Sequence, residues 1–201
     1  ATEALKGADL TAEVLDGFND ATADDVLWGA EIIRDQGTTN PQFLAHMDIA
    51  FDGYGRDARK ACSAWLYEQI PANDVRKAWW NYEALADGKT MGYQQYKFRF
   101  ANANDPYVGA DHIFMRVPEM YLTAAEAAVR TGKEAEAKAL LTEFMSYRRP
   151  NYDCSNLTGT ALGTLTTDKT GSLLEEILLQ RRIELWGEYG RVYDIKRLRQ
   201  G

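Results

Sequence analysis

Apolar residues recur at three- and four-residue steps between Arg116 and Arg148, which predicts two amphipathic helices joined by a tight turn. Pro118 suits the first helical turn because it lacks a backbone N–H, and Gly132 suits the end of that helix because glycine readily adopts the left-handed conformation. The second helix runs up to Pro150, which cannot continue it. We therefore expect an antiparallel helical hairpin around which the rest of the chain packs.

A second well-marked helix follows the hairpin. Ser172 and Glu175 have the spacing of a capping box, in which a serine hydroxyl accepts a hydrogen bond from a backbone N–H at the start of a helix. An apolar stripe then continues to Leu185, before two glycines interrupt it. Between the two helical regions, the polar residues 151–170 predict a loop.

The chain before residue 58 carries weaker patterns. Residues 2–20 show weak helical periodicity, and the apolar run over residues 26–33 suits either a short strand or a short helix. The β-branched and aromatic residues of that run favour the strand. Residues 34–57 predict a long loop because Gly, Asn, Pro and Asp punctuate them, and the interleaved aromatic residues indicate that the loop packs.

Three further elements are expected before the hairpin. Residues 58–69 predict a helix that Pro71 ends, and Asn73–Asp74 is a suitable N-cap or turn pair before the helical spacing over residues 75–82. Strict alternation of aromatic and basic residues over residues 96–100 predicts a strand with one apolar and one basic face. The pattern thus predicts a mainly α chain with paired helices, long loops and a few short strands.

Composition narrows the functions that such a chain serves. A 201-residue chain with 45% apolar and 26% charged residues is ordinary for a globular protein. The net charge of -7, without any basic block, argues against nucleic acid, because a binder neutralises phosphates with clustered Lys and Arg. The eleven Tyr and five Trp have an apolar face and a polar tip, which suits recognition surfaces, although most are expected in the core.

The cysteines and the hydropathy of the chain argue against a zinc site and against a membrane-spanning helix. Cys62 and Cys154 suit either one disulfide or two buried thiols, with the thiols favoured. Without a Cys/His cluster they predict no zinc site. No run approaches the roughly 20 apolar residues of a membrane span, and the N-terminus lacks a signal-peptide pattern. The residues that follow Ala1 have the pattern of the end of a helix, so we expect the sequence to begin within a fold.

Charged residues cluster near the end of the chain at steps of three and four, a spacing that suits ion pairs between a helix and its neighbours. They are Arg181, Arg182, Glu184, Glu188, Arg191 and Asp194. Asp74 and Arg76 likewise suit a turn closed by an ion pair. His46 and His112 stand outside any HExxH pattern, and the sequence contains no GxSxG or phosphate-binding loop. We therefore expect structural ion pairs here, with no catalytic residue, metal or cofactor.

The end of the chain resembles the SusD/RagB family. QRRIELWGEYGRVYDIKRLRQG at residues 180–201 is similar to that family's ERR-x-EL-x-x-E-x-x-R-x-x-DL-x-R pattern. The departures are Gln180, where an acidic residue is usual, and Tyr189, where a small residue is common.

Two earlier stretches resemble the same family, in the same order. MRVPEMYLTAAEAAVRTG is similar to its R-x-x-E-x-YL-x-x-AEA helix and carries Arg116, Glu119 and Glu126. LYEQIPANDVRKAWW at residues 66–80 is similar to its LY-x-x-IP-x-x-DVRK segment. Three matches in order make the resemblance specific.

The resemblance implies a glycan-binding lipoprotein of the bacterial outer membrane, anchored at the cell surface by a lipid outside this sequence. It implies a SusC-like TonB-dependent transporter as partner, tetratricopeptide-like helix pairs beneath aromatic loops, and no enzymatic activity. Because the family's chains are much longer, residues 1–201 are expected to be the C-terminal portion of a SusD-like domain. Three explanations for the shorter length remain open: a fragment, a clipped chain, or missing helices that a partner chain supplies. A helical repeat without its neighbours is expected to expose apolar surface.

Glycan binding needs flat aromatic faces for sugar C–H groups and polar side chains for sugar hydroxyls. The candidates are Tyr54, Trp80, Tyr82 and Tyr93 for stacking, with Arg56 and Asn81 for hydrogen bonding. A position in the core is an equally good expectation for each. The alternative function is a helical-repeat scaffold that holds a partner protein, and a glycosidase would require paired carboxylates in a sugar-sized cleft.

Overall fold

The computed structural model describes residues 9–11, 17–35, 43–51, 54–81, 92–102, 104–105, 110–163, 169–188 and 190–198. The chain divides into two compact units. Residues 11–116 form the strand-containing unit, and residues 1–10 with 117–201 form the helical unit.

Two antiparallel strand pairs organise the strand-containing unit. β1 (Val26–Ala30) pairs with β4 (His112–Arg116), and β2 (Trp80–Asn81) pairs with β3 (Gln94–Gln95). β1 confirms the short strand expected within residues 26–33. The helix suggested over residues 2–20 falls largely outside the described residues.

Short helices lie between these strands. They are α1 (Phe43–Met47), α2 (Tyr54–Asp57), α3 (Ala64–Glu68) and a 3-10 helix (Val75–Trp79). The prediction of a continuous loop over residues 34–57 is therefore wrong at α1 and α2. Helices of four or five residues leave no periodic signal, and tertiary packing rather than propensity stabilises them.

The helix predicted over residues 58–69 begins later than expected. Ser63 is its N-cap, and the Ser63 hydroxyl accepts a hydrogen bond from the Leu66 N–H. The residues before it pair with β3 instead, since the carbonyl of Lys60 accepts from the Gln95 N–H at 2.9 Å. Pairing with a distant strand overrides the local helical preference there.

Of the predicted Asn73–Asp74 pair, Asp74 caps the 3-10 helix, because its carboxylate accepts a hydrogen bond from the Arg76 N–H at 3.0 Å. The helical spacing does not continue to Tyr82. Trp80 enters β2 and pairs with Gln95, while Tyr82 itself lies outside the described residues.

The strand predicted over residues 96–100 is also wrong. β3 ends at Gln95, whose side-chain oxygen accepts from the Phe98 N–H at 2.9 Å. The Asp48 carboxylate accepts from the Phe100 N–H at 2.8 Å. Side chains thus satisfy the N–H groups of Phe98 and Phe100, while the Arg99 N–H donates to the carbonyl of Gly17 at 2.9 Å, so no regular ladder forms.

Lys97 departs most from the expected alternation of apolar and basic faces. Its side chain is fully buried, and its ammonium lies 4.5 Å from the ring centroid of Trp79 and 5.0 Å from those of Phe18 and Phe98. Attraction to the negative faces of these rings offsets part of the lost hydration. This basic residue therefore belongs to the core rather than to a solvent-facing side.

The helical unit contains the predicted hairpin, formed by α4 (Val117–Arg130) and α5 (Glu134–Ser146). Gly132 adopts a φ of 77° at the turn, and the Lys133 N–H donates to the carbonyl of Ala128 at 2.9 Å. The buried faces carry small residues and larger apolar ones, among them Ala124, Ala125, Ala128, Ala137, Leu141 and Phe144. The hairpin prediction is confirmed.

Two more helices complete this unit, α6 (Leu173–Glu184), which packs on α4, and α7 (Gly190–Leu198). The Ser172 hydroxyl accepts from the Glu175 N–H at 3.1 Å, as predicted. The Glu175 carboxylate reaches the N–H groups of the two residues before Ser172, each at 2.8 Å, so the capping box is wider than the usual one. Among the described residues, no helix has the length and apolar character to cross a membrane.

Both cysteines are buried free thiols, which confirms the favoured alternative. Burial raises the pKa of Cys62 to about 11, so that thiol stays protonated at neutral pH. Protonated, buried thiols are poor nucleophiles and metal ligands.

A buried ion pair between α6 and the end of α5 provides a test of the helical unit. Arg148 and Glu184 are both fully buried, and two hydrogen bonds of 3.0 Å join them. Arg148→Met leaves the carboxylate buried without its cation, so we expect a loss of about 3–5 kcal/mol in the opening free energy of α5 and α6, measured by amide hydrogen exchange. Lys133→Met is the control, because it breaks only an exposed pair with Glu136. Equal exchange in the two variants would contradict the prediction.

Candidate functional site

Asp74 and Arg76 form the structural pair expected from the sequence. Both side chains are buried, and the Arg76 guanidinium donates two hydrogen bonds to the carboxylate, of 3.0 and 2.7 Å. This two-point contact closes the turn before the 3-10 helix. The pair thus has its charges satisfied internally.

Arg181 connects three helices of the helical unit. Its guanidinium donates to Asp194 on α7 at 3.0 Å, to Glu119 on α4 at 3.0 Å and to the Thr123 hydroxyl at 3.3 Å. Both Arg181 and Asp194 are largely buried. One arginine on α6 therefore holds α4 and α7 in place.

Glu126 makes a second connection between α4 and α7. Its carboxylate accepts hydrogen bonds from Arg197 on α7, at 2.5 and 2.7 Å, and from Arg130 at 2.8 Å. Burial acts to raise the pKa of Glu126, but the hydrogen bonds and positive charges of these arginines outweigh it and lower the pKa below its usual value. Glu126 therefore stays ionised in the folded protein.

The remaining charged residues of the family-like stretches have less direct roles. Arg182 and Arg191 are half-buried, burial lowers the pKa of each, and the positive charge of Arg191 adds to the effect at Arg182. Glu188 is half-buried in the turn between α6 and α7. In the strand-containing unit, buried Arg116 lies 3.8 Å from buried Asp25. Within the described residues, no group of three or more His, Cys, Asp or Glu side chains could hold a metal.

The predicted glycan-binding residues differ in their exposure to solvent. Trp80 is only 3% exposed and meets Trp79 edge to face, so in this structure it packs in the core without a free ring face. The backbone of Asn81 pairs with Gln94 in the β2–β3 ladder. Tyr93 is half-buried, with a φ of 61° and its ring 5.0 Å from that of Tyr67.

Tyr54 is a predicted ligand residue that the structure presents to solvent. Its side chain is 59% exposed, and its ring stacks on the imidazole of His46 with a centroid distance of 5.0 Å and an interplanar angle of 13°. Because His46 covers one face, the exposed area lies at the edge and the opposite face. Arg56 is also exposed and lies 3.6 Å from Asp57, the last residue of α2. We call His46, Tyr54, Arg56 and Asp57 the α1–α2 platform.

Gly55 permits the close contact of α1 and α2. A Cβ atom at this position would lie 1.9 Å from the Asp48 carbonyl oxygen and 3.1 Å from that of Ala45. Only glycine allows the backbone of α2 to approach the end of α1 so closely. That approach brings Tyr54 over His46.

α1 is in turn fixed to the core of its unit. One oxygen of the buried Asp48 carboxylate accepts from the Ala50 N–H and the other from the Phe100 N–H, both at 2.8 Å. The Gln95 side-chain amide donates to the carbonyl of Met47. The α1–α2 platform therefore stands on a hydrogen-bonded base.

Sequence reasoning missed three members of exposed aromatic surfaces. His46 lies in no sequence motif and Asp57 in no periodic pattern, because helices as short as α1 and α2 leave no signal in the sequence. Trp28 on β1 is 62% exposed and lies 4.9 Å from the ring of Phe114 on β4. The alternation of side chains along β1 could have indicated an outward Trp28, but the pairing with β4 could not be read from the sequence.

Gly55→Ala tests the packing of the platform. We expect the added methyl group to push α2 away from α1, lowering the free energy of unfolding by about 1–3 kcal/mol and separating the rings of Tyr54 and His46. Thermal denaturation and the NMR chemical shifts of the His46 ring report the two effects. Gly92→Ala is the control, since a Cβ there has open space. Unchanged His46 shifts in Gly55→Ala would contradict the proposed contact.

The depressed pKa of Glu126 predicts a pH dependence. Its stabilising contribution is present above the ordinary glutamate pKa of 4.5 and is lost as the pH falls through the lower pKa of the folded state. We expect the opening free energy of α7, taken from amide exchange corrected for its intrinsic pH dependence, to decrease as the pH falls below 4.5, and Glu126→Gln to remove part of this acid dependence. An identical acid dependence in both proteins would contradict the assignment.

Comparison with known proteins agrees with this architecture. The SusD family model matches residues 29–200. No curated protein sequence matches the chain significantly. A solved SusD-like carbohydrate binding protein from Bacteroides vulgatus ATCC 8482 superposes with a TM-score of 0.71 at 28% identity, over 96% of this chain and 39% of its own.

More distant structures share the fold alone. Surface glycan-binding protein A from Bacteroides uniformis has a TM-score of 0.60, and a SusD superfamily protein from Bacteroides thetaiotaomicron VPI-5482 has 0.62, each at 20% identity over 96% of this chain and 42% of its own. The chain thus spans about two fifths of the length of these proteins. The expected mainly α fold with tetratricopeptide-like helix pairs is confirmed. The chain belongs to the SusD family.

Proposed function

We propose that this chain is part of a glycan-binding subunit of a bacterial outer-membrane nutrient uptake complex. Membership of the SusD family supports the proposal, as does the likeness to a solved protein described as a SusD-like carbohydrate binding protein. In this proposal the chain captures an oligosaccharide or polysaccharide without chemically altering it. It requires no cofactor.

The observation that carries the proposal is the exposed ring of Tyr54. A pyranose presents a face of C–H groups that packs on a flat aromatic ring, and the ring must be both accessible and held in place. Tyr54 meets both conditions, because it is 59% exposed and stacked on His46. Arg56, which is exposed two residues further along α2, remains the proposed donor of hydrogen bonds to sugar oxygens. Tyr93 remains a proposed ligand residue at a half-buried position.

Membership of the SusD family supports a proposal for the partner and for the location. We propose a SusC-like TonB-dependent transporter as the partner that receives the glycan. The protein would lie at the cell surface, held to the outer membrane through a lipid anchor outside this sequence. Residues 1–201 would form the C-terminal portion of the SusD-like domain.

A helical-repeat scaffold that binds a partner protein is the second candidate. Exposed apolar side chains favour it, notably Trp28 and Met115 on the β1–β4 pair and Val192 on α7, which are 62%, 37% and 56% exposed. Surfaces of this kind suit a protein partner more than a sugar when polar groups are sparse. Co-purification with a transporter without glycan binding would favour this candidate.

Tyr54→Ala tests the glycan-binding proposal. We expect a loss of roughly five- to tenfold in affinity for the bound glycan, since stacking on an aromatic ring contributes about 1–1.5 kcal/mol. Glycan-array screening followed by calorimetry measures it. Tyr193→Ala on α7 is the control, because that tyrosine is 65% exposed but belongs to the helical unit. Equal binding by both variants, or no binding by the unaltered chain, would contradict the proposal.

A further inference from the structure

We infer that one side of α7 binds an acidic segment of a partner protein, and that this segment also carries apolar side chains. We call this side, formed by Val192, Tyr193 and Lys196, the α7 outer face. The inference concerns the helical unit and does not rest on the proposed glycan binding. It arises from the exposure of these three residues and from the charges around them.

The three residues lie together on α7. Residues three and four apart in a helix are neighbours on its surface, so Lys196 stands beside both Tyr193 and Val192. All three are exposed to solvent, Val192 by 56% and Tyr193 by 65%. Asp194 lies on the opposite side of the helix, where it is 5% exposed and pairs with Arg181 on α6. The α7 outer face therefore presents two adjacent apolar side chains and a cation.

The charge of α7 is opposite to that of the whole chain. Gly190–Leu198 carries three cations and one acid, whereas the chain has a net charge of -7. The one acid, Asp194, faces inward and pairs with Arg181 and Arg197. Lys196 makes no ion pair with any residue that the structure describes. Its charge is therefore available to an anionic group of a partner.

Two arginines add positive charge at the corner where α6 leads into α7. Arg182 and Arg191 are both half-buried, and Arg191 is close enough that its charge helps to lower the pKa of Arg182. Asp194 offsets part of the charge of Arg191, and Glu188 is the acid of the intervening turn. Like charges near each other favour an anion beside them, because it lowers their mutual repulsion.

An acidic protein segment fits the α7 outer face better than other partners do. A helix that lies in a membrane surface needs a broad apolar stripe, and two adjacent side chains do not form one. An exposed tyrosine flanked by cations is typical of protein interfaces, where aromatic residues and Arg are enriched. The acidic remainder of the chain repels an acidic partner elsewhere and so directs it to α7.

Fluorescence anisotropy with the complete 201-residue chain tests the inference. The probe is a labelled peptide of repeated Glu-Glu-Leu-Phe units. Two comparison peptides replace either its Glu residues with Lys or its Leu and Phe residues with Ser. We expect the unmodified probe alone to bind, with an affinity that falls as the salt concentration rises, because exposed charges are screened.

Substitutions on α7 locate the binding. Lys196→Glu and Tyr193→Ala are each expected to weaken the probe about tenfold, since one reverses an attraction and the other removes the apolar anchor. Lys133→Glu and Tyr147→Ala are the matched controls, because these residues are a cation and a tyrosine of the same unit, 65% and 45% exposed, outside α7. Unchanged amide exchange in α7 verifies that the variants keep the helix.

Each outcome supports or overturns the inference. Weaker binding in both α7 variants, with the two controls unchanged, supports it. No binding of the acidic probe, equal binding by Lys196→Glu, or equal binding of the serine peptide overturns it. Binding to vesicles of phosphatidylglycerol, or self-association in sedimentation, also overturns it if Tyr193→Ala abolishes the effect, since the face then takes lipid or a second copy. Glycan binding is tested separately by Tyr54→Ala, so failure of either proposal leaves the other standing.

Discussion

Buried guanidinium groups must meet carboxylates, and this requirement fixes the arrangement within each unit. Arg76, Arg116 and Arg148 are fully buried, and each lies against an acidic partner. A buried charge without its counterion costs several kcal/mol, so each pair admits few other arrangements of the elements that carry it. In the helical unit, Arg181 and Glu126 extend this control to α7, a short helix whose exposed Val192 and Tyr193 contribute little packing.

These pairs also explain why the family pattern is spread along the chain. Arg181 pairs with acids on α4 and α7, and Glu184 pairs with Arg148, which follows α5. The acidic positions of α4 in turn have their partners on α6 and α7. Arg181, Glu184 and Asp194 therefore form ion pairs that hold helices together. Many charged residues of the family signature in this chain therefore serve to hold the helices of the helical unit together.

The α1–α2 platform depends on a different constraint, the absence of a side chain at Gly55. Close approach of two backbones lets Tyr54 stack on His46, and the buried Asp48 ties the same corner to Phe100. An exposed aromatic ring held in one orientation loses less conformational entropy on binding than a free one. The residues that pack α1 against α2 and the proposed ligand residue Tyr54 thus lie within a few positions of one another in the chain.

The sequence by itself determined the hairpin, the capped start of α6, the Asp74 cap and the family, because these rest on periodicity, capping chemistry and motif spacing within single segments. The strand-containing unit was decided by tertiary structure. Its short helices carry no period. The segment around Lys97 has the sequence pattern of a strand, but the side chains of Gln95 and Asp48 bind the N–H groups of Phe98 and Phe100, and aromatic rings surround the Lys97 ammonium. For the candidate site, residue type selected both the exposed Tyr54 and the buried Trp80, since burial depends on neighbours far along the chain. His46 and Asp57 joined Tyr54 only through the contact at Gly55, which no local pattern encodes.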